Sequence, residues 1–466
     1  MKKLFLIAAS MFLVSTVFAQ ESVEVTVYNQ NFALVKDQRY FDLDKGINRV
    51  EFKDVAALIE PTSVHFTSLS APASCNILEQ NYEYDLVNAS KLLYKYIDKK
   101  IKVTTKQGEV YDGTLLSYDD NQLVIQTSNG LAMITRPVNI NQITFEKLPE
   151  GLITRPTLIW LVNSDKKLKH LTEVSYLTNG VNWNCEYVTV LDKDDRNLDL
   201  DGWVSINNTC GATYEDAKVK LIAGEVKRAQ QYGRYREDKL MLAEKSAAAP
   251  QFEEKSFFEY HMYTLQRPAT LKNNQTKQIS LLNAVGVSVS KELIFDPTKG
   301  NWSWRYYSDT DETIKENARV ELEFANSKAN NLGMPLPKGN VKVYKKDTDG
   351  SLQFIGEDAI EHTPRDEKIR LYIGDAFDVI GERKRTNFKK EGYYTIWESY
   401  EITLKNHKDQ EITVRVPEKL WRYSNWEIQN PSIPYEKKDA STVEFKVKVP
   451  KNGETKLTYT VKYWWY

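Results

Sequence analysis

Apolar and polar side chains alternate with a period of two through much of this 466-residue chain. Ala318, Val320, Leu322 and Phe324 are separated by Arg319, Glu321 and Glu323, and Val443, Phe445, Val447 and Val449 by Glu444, Lys446 and Lys448. Leu457, Tyr459, Val461, Tyr463 and Trp465 carry the pattern to the C-terminus. Successive side chains of an extended strand point to opposite faces, so each segment buries one face and wets the other, as antiparallel sheets do. Turn chemistry fits between them. Asp347-Thr348-Asp349-Gly350 and Lys451-Asn452-Gly453-Glu454 supply residues that tolerate positive φ. Aromatics reach 12%, with 27 Tyr, which adds strand propensity.

One stretch breaks this rhythm. Asn88–Ile97 reads as a short helix with an apolar stripe of Leu92, Leu93, Tyr96 and Ile97 and a cap at Asn88. Five short strands follow at Lys100–Thr105, Val110–Tyr118, Gln122–Thr127, Leu131–Thr135 and Gln142–Glu146, with Gly108, Gly113 and Gly130 at bends. This order resembles the small barrels of the Sm and SH3-like type. A second break, Lys227–Glu254, alternates poorly, mixes charges densely and reads as a loop.

The predicted fold is mainly β: multi-domain antiparallel β-sandwiches with an inserted small Sm/SH3-like barrel. The expected layout is an N-terminal β region at 20–87, the helix and five-stranded barrel at 88–148, a central β domain at 149–316 carrying the mobile loop 227–254, and a C-terminal β-sandwich at 317–466.

The N-terminus sets an expected compartment. Lys2 and Lys3 precede an uncharged run from Leu4 to Phe18, and Val17-Phe18-Ala19 offers small residues where a signal peptidase reads. Residues 1–19 therefore read as a secretory signal peptide cut after Ala19, too short to span a bilayer. Removing Lys2 and Lys3 takes the formal net charge from −1 to −3. Nucleic-acid binding normally shows as a basic face, and this balance gives no reason to expect one. No later apolar run approaches a transmembrane length.

Cys75, Cys185 and Cys210 are the three cysteines. A chain this long buries a core without covalent help. Trp183–Asp192 and Leu198–Asn208 read as a hairpin in which Cys185 faces Ser205. Cys210 then lies five residues out of register, about 16 Å away and beyond disulfide reach. Free thiols are expected.

Several separated pieces, in order, resemble one bacterial family. They are Tyr176-Leu177-Thr178-Asn179-Gly180 with Trp183 and Tyr187, Leu200-Asp201-Gly202-Trp203-Val204, Thr213-Tyr214-Glu215-Asp216-Ala217 and Ala223-Gly224-Glu225-Val226. Leu332 to Gly339, Gly356-Glu357-Asp358, His362-Thr363-Pro364, Gly374 to Asp378 and Gly381 to Lys384 follow. The resemblance is to the exported proteins of domain of unknown function 4139, sometimes labelled mucoidy-inhibitor-like, over roughly residues 170–466. It implies an exported, mostly β protein of bacterial envelopes and brings no established catalytic residues.

Candidate chemistry is sparse. Gly356 to Pro364 concentrates Glu357, Asp358 and Glu361 with His362, one of five histidines, in what reads as a loop between strands. Carboxylates beside an imidazole ligate metals or exchange protons; the alternative is a turn whose Asp358 and His362 satisfy backbone groups. Arg383, Lys384 and Arg385, near Lys389 and Lys390, form a cationic run that suits a phosphate or acidic polymer, or else a solvated hairpin end. Asn197-Leu198-Asp199-Leu200-Asp201-Gly202 opens like a calcium loop, but its twelfth position is Asn208, and the stretch also alternates as a strand. Trp397, Trp421, Trp426 and Trp464 are candidates for sugar stacking or core packing, with Trp464 alone on the polar parity of its strand. GxSxG and phosphate-cradling glycine loops do not occur, and no cofactor is expected. The leading expectation is a binding or scaffolding protein of the periplasm or cell surface, with an unidentified envelope protein or polysaccharide as partner. The alternative is a hydrolase or metal-dependent enzyme acting on envelope polysaccharide.

Overall fold

The computed structural model describes residues 17–228, 251–297 and 313–465. The core of the expected signal peptide and most of the expected loop 227–254 lie outside the described residues. The end of that loop is a strand instead. Phe252–Phe257 pairs antiparallel with Tyr260–Leu265, Phe252 facing Leu265, because a partner strand is there to complete its ladder.

The protein is mainly β, with five sheets among the described residues. It divides into two compact units, one of residues 1–182, 207–221 and 267–276, the other of 183–206, 222–266 and 277–466.

In the first unit Val17–Tyr28, Phe32–Leu43, Leu168–Asn179 and His65–Ser68 are successive neighbours in one sheet. Gly46–Lys53, Thr157–Ser164 and Cys75–Glu83 form another, with Thr157–Ser164 in the middle. The two faces meet through aromatic rings. Phe41 and Phe66 of the first sheet lie 6.5 and 5.4 Å from Trp160 of the second, and Phe52 lies 5.3 Å from it. Burying such rings supplies much of the apolar area that stabilises a sheet pair.

The helix of the small module runs Ala89–Lys95, and Asn88 caps it by accepting the Lys91 amide at 2.9 Å. Leu93 and Tyr96 pack into a core with Ile101, Val103, Leu115, Leu123, Ile125 and Ile134. Tyr96 closes the module, its hydroxyl donating to the Lys147 carbonyl and accepting the Lys147 amide. The five strands form an open antiparallel sheet, not a closed barrel. Gly130–Thr135 is one edge, and the short helix Arg136–Asn139 leads the chain to Ile140–Phe145 on the other. Gly108 and Gly130 sit at turns with positive φ, but Gly113 lies inside a strand. A Cβ there would fall 2.3 Å from the Gln126 carbonyl oxygen, so a close backbone approach, and not a bend, requires glycine.

The second unit holds a five-stranded sheet in the order Gln275–Ser288, Asn197–Asn208, Val181–Leu191, Gly339–Lys346, Leu352–Ile360. Its third and fourth strands are parallel, with Cys185 opposite Gly339 and Leu191 opposite Lys345, against the antiparallel expectation. Residues 192–338 intervene, long enough for the crossover a parallel pair needs. The calcium-loop stretch is strand here: Asp199 accepts the Gly286 amide at 3.0 Å and Asp201 the Asn283 side chain.

A nine-stranded sheet completes the unit, in the order 425–429, 453–464, 395–406, 368–391, 313–325, 290–294, 412–419, 442–449, 435–437. It curls so that strands far apart in this order share one core. Phe445 and Tyr459 stack at 5.4 Å, and Val414, Val447, Ile402, Leu457 and Val461 are fully buried around them. The two predicted turns are as expected, with Gly350 and Asn452 at φ 85° and 48°. Cys75, Cys185 and Cys210 are free thiols.

Candidate functional site

Glu357 and Asp358 sit on the strand Leu352–Ile360, not in a loop. The ladder with Gly339–Lys346 places Glu357 opposite Lys342 and Asp358 opposite Val341. Neighbouring residues on a strand face opposite ways, so the two carboxylates diverge. Asp358 is spent on the backbone, accepting the Tyr372 amide at 2.7 Å and the Ala359 amide at 2.9 Å. Glu361 is exposed and opens the turn that follows.

His362 is the member of the predicted group that enters a built site. Its Nδ1 accepts the Lys338 amide at 3.2 Å, which puts the ring proton on Nε2. Burial, then the Lys338 charge, holds its pKa below the ordinary histidine value. The imidazole is therefore neutral at pH 7.

Two loops make this position, and buried residues pin both. Leu336 and Thr363 exchange backbone hydrogen bonds at 2.8 and 2.9 Å. Tyr263 donates to the Pro335 carbonyl at 2.8 Å and Tyr187 to the Pro337 carbonyl at 2.7 Å. Trp183 packs edge-on to Tyr263 at 6.3 Å and donates its indole N–H to the Ile222 carbonyl. Asn326 is the hub. Its amide donates to the Met334 and Pro364 carbonyls, both at 2.8 Å, while its oxygen accepts the Gly333 amide at 3.0 Å.

The structure also brings in residues absent from the sequence-based group. His261 shares Glu254 with Arg365: Glu254 lies 2.8 Å from His261 Nδ1 and 2.8 Å from Arg365 Nη2. The Glu254 side chain is only 10% exposed. His261 and Glu225 both act electrostatically on His362. His261 was legible as one of five histidines, but only the hairpin 252–265 carries it here. Groups of three or more His, Cys, Asp or Glu in metal-binding arrangement do not occur among the described residues.

The cationic run is dismantled by strand geometry. Arg383 to Arg385 lie within the 24-residue strand Lys368–Glu391 and not at a hairpin end. Arg383 turns inward onto the fully buried Glu418, with Nε 3.0 Å from Oε1 and Nη2 2.9 Å from Oε2. Tyr459 donates to the same carboxylate at 2.7 Å, and the guanidinium lies 3.8 Å from the Tyr400 ring centre. Burial opposes the Arg383 charge, yet Glu418 and the two tyrosines raise its pKa further. Arg385 and Arg422 converge on the buried Glu398, at 3.1 and 2.8 Å. Lys384 alone of the three faces solvent. Arg383 and Arg385 thus belong to a charged core, while Lys384, Lys389 and Lys390 stay on the surface.

A cluster of another kind lies in the first unit. Ser68 Oγ is 2.8 Å from Nδ1 of the buried His170, Ser164 Oγ is 3.4 Å from its Nε2, and Cys75 Sγ is 4.0 Å from Nδ1. Cys75 and His170 are 95 residues apart, beyond any local motif. Burial raises the thiol pKa and lowers the imidazole pKa. Both stay neutral, so no thiolate–imidazolium pair forms. The small module adds an open depression of about 320 Å³ lined by Asp120, Arg136, Pro137, Ile140 and Ile143.

The family model of a domain of unknown function (DUF4139) matches residues 172–465. The chain belongs to this family. The matched region contains the Asn326 hub, the tyrosine-anchored loop 332–338 and His362, so these buried anchors are parts of the DUF4139 domain. The small module lies before it. No curated protein matches the chain. No helix among the described residues is long and apolar enough to cross a membrane.

Proposed function

We propose that this DUF4139 protein is exported to the bacterial envelope, in the periplasm or at the cell surface, and works there as a non-enzymatic binding or scaffolding protein. One observation carries this reading: of the candidate residues, Asp358, Arg383 and Arg385 are committed to the fold itself. Asp358 holds backbone amides, and Arg383 and Arg385 neutralise Glu418 and Glu398. Glu357 and Asp358 diverge instead of converging on His362. Export fits the N-terminal strand. A cut after Ala19 leaves the pairing of Gln20 with Arg39 through Val27 with Ala33 intact. In this reading the module at 88–148 is an SH3-like contact unit and the following sheets are sandwich-like domains.

The test is capture with processed protein beginning at Gln20. The expected result is saturable retention of an envelope component, unchanged by His362→Ala. Absence of saturable retention overturns the proposal. So does cleavage of an envelope polymer by the wild type that His362→Ala abolishes.

A further inference from the structure

One end of the nine-stranded sheet gathers aromatic rings. There the strand Lys368–Glu391 turns into Thr395–Asn406 through Gly392, Tyr393 and Tyr394, with Gly392 at φ 62°. Thr395 lies opposite Trp464, and Trp464 opposite Asn425, so two further strand ends lie level with this turn. The rings run outward from the core in contact with one another. Tyr423, in the loop before Asn425, packs against the core. Trp465 stacks on Tyr423 at 3.9 Å, and Tyr394 meets Trp465 edge-on at 6.2 Å. The Tyr394 carbonyl also accepts the Trp465 amide at 3.1 Å. Tyr394 is 59% exposed, and Tyr393, at the tip, 90%. Trp421, in the same loop as Tyr423, is 46% exposed, whereas Trp426 packs onto the core.

Shape, chemistry and charge together say what covers this end. The exposed rings stand out from a hairpin tip instead of lining a groove, so whatever covers them has to yield around a protrusion. All five rings belong to Tyr or Trp, which join an apolar body to a polar O–H or N–H and settle where hydrocarbon meets water. Their stacking on the core leaves little ordering to occur on binding. The charge beside them is positive. Lys389 and Lys390 are exposed on the strand just before the turn, and Lys419 lies 5.3 Å from the Trp421 ring centre. Against these three lysines stands Glu391, 3.4 Å from Lys389. The other carboxylates nearby do not reverse the sign. Glu427 lies opposite Lys462, Glu398 is held by Arg385 and Arg422, and Glu436 and Asp439 are matched by Lys437 and Lys438.

We infer that this end of the sheet docks on the surface of a phospholipid bilayer carrying anionic headgroups. Tyr393, Tyr394 and Trp421 enter the headgroup region, their ring bodies against the acyl boundary and their O–H and N–H groups in the wet layer. Lys389, Lys390 and Lys419 meet lipid phosphates, each adding a modest attraction that salt screens. A bilayer interface deforms around a protruding tip, and its anionic surface suits a cationic surround. Attachment of this kind is peripheral and reversible and needs no spanning helix. The inference goes beyond the binding reading above, since it requires neither a protein nor a glycan partner.

The experiment is flotation of full-length processed protein with vesicles of equal parts phosphatidylglycerol and phosphatidylethanolamine, or of phosphatidylcholine alone. The protein begins at Gln20, so the uncharged run Leu4–Phe18 takes no part. The wild type floats with the anionic vesicles and partitions roughly fivefold less onto phosphatidylcholine. Tyr393→Ala combined with Tyr394→Ala weakens partition about tenfold, while Tyr393→Trp matches or exceeds the wild type. Lys389→Gln combined with Lys390→Gln weakens binding to anionic vesicles about fivefold and leaves the phosphatidylcholine value within roughly twofold. Thermal melts of each variant separate lost binding from lost folding. The inference is overturned by a wild type that does not float with anionic vesicles, by equal flotation with the two vesicle types, or by a folded double alanine variant that floats like the wild type. Loss of flotation in Tyr393→Trp also overturns it, because a pocket of fixed shape and not a bilayer would then receive the tip. The vesicles hold no protein or glycan, so failure here leaves the capture result of the binding reading standing.

Discussion

Asn326 is fully buried and makes hydrogen bonds through every polar group it has. Its backbone N–H donates to Glu367 and its carbonyl accepts from Asp366, while the side chain ties residues 333–334 to 364. Asn326→Ala leaves two carbonyls and the buried Gly333 amide without their partner. Unsatisfied buried groups cost roughly 1–3 kcal/mol each, with partial relaxation, so a loss of about 2–4 kcal/mol is expected in urea unfolding. Near-neutral stability would show that the loops hold without it. His170 supports a prediction in pH. Its folded pKa lies below the ordinary 6.5 because burial, and then Lys166, disfavour the charged ring. On acidification the unfolded chain therefore takes the proton first. Stability is fully present above about pH 6.5 and falls as pH drops from there toward the folded pKa, by up to about 1.4 kcal/mol per pH unit. His170→Asn should flatten that slope, with His362 leaving a residue of it. Such sites were poorly legible in the sequence. His362 stood out by rarity, whereas an asparagine in a run of polar loop residues carries no local sign that its partners lie 8 and 38 residues away.

At the scale of elements, alternation predicted what alternation determines. The strands 313–325, 442–449 and 453–464 and both turns between predicted strand pairs are where parity and turn residues placed them. Parity also exposed Trp464. It fails where side chains of one type serve opposite environments. Arg383 and Arg385 occupy the inward parity of their strand, so a local reading of charge mistakes a core for a surface. Removing Glu418 leaves Arg383 buried without its carboxylate and Tyr459 without an acceptor. Breaking one side of a buried pair costs roughly 3–5 kcal/mol. Glu418→Leu is expected in that range, and adding Arg383→Met should be milder than the sum of the single changes, because the two residues act as a unit. Additive losses would mean that the pair is not coupled. Pairing direction was equally hidden. Gly339 lies opposite Cys185 in a parallel ladder, and a Cβ on it would sit 2.0 Å from the Cys185 carbonyl oxygen. Backbone cannot yield as a flexible side chain does. Gly339→Ala should therefore separate the two strands locally and speed amide exchange along 185–191; unchanged protection there would refute this account.

Across the whole molecule, the chain alternates between its two compact units and does not complete one before starting the other. It leaves the first at residue 182, returns for 207–221 and again for 267–276, and stays in the second from 277. A linear reading of composition has no access to this, since each short return segment looks like any other strand. The consequence concerns folding. The sheet containing Gly339–Lys346 and Leu352–Ile360 takes two strands, Val181–Leu191 and Asn197–Asn208, from more than a hundred residues earlier. Contacts of such sequence separation form late, because loop closure must come before they contribute. A fragment of residues 277–466 retains all nine strands of the larger sheet but lacks the parallel partner of Gly339. It should keep strand circular dichroism and the packed Phe445–Tyr459 core while Gly339–Ile360 loses amide protection. Adding residues 20–276 in trans should restore that protection, if slowly. Full protection of 339–360 in the fragment alone would mean that the ladder with Cys185–Leu191 is dispensable, and that this sheet does not depend on strands supplied from the earlier part of the chain.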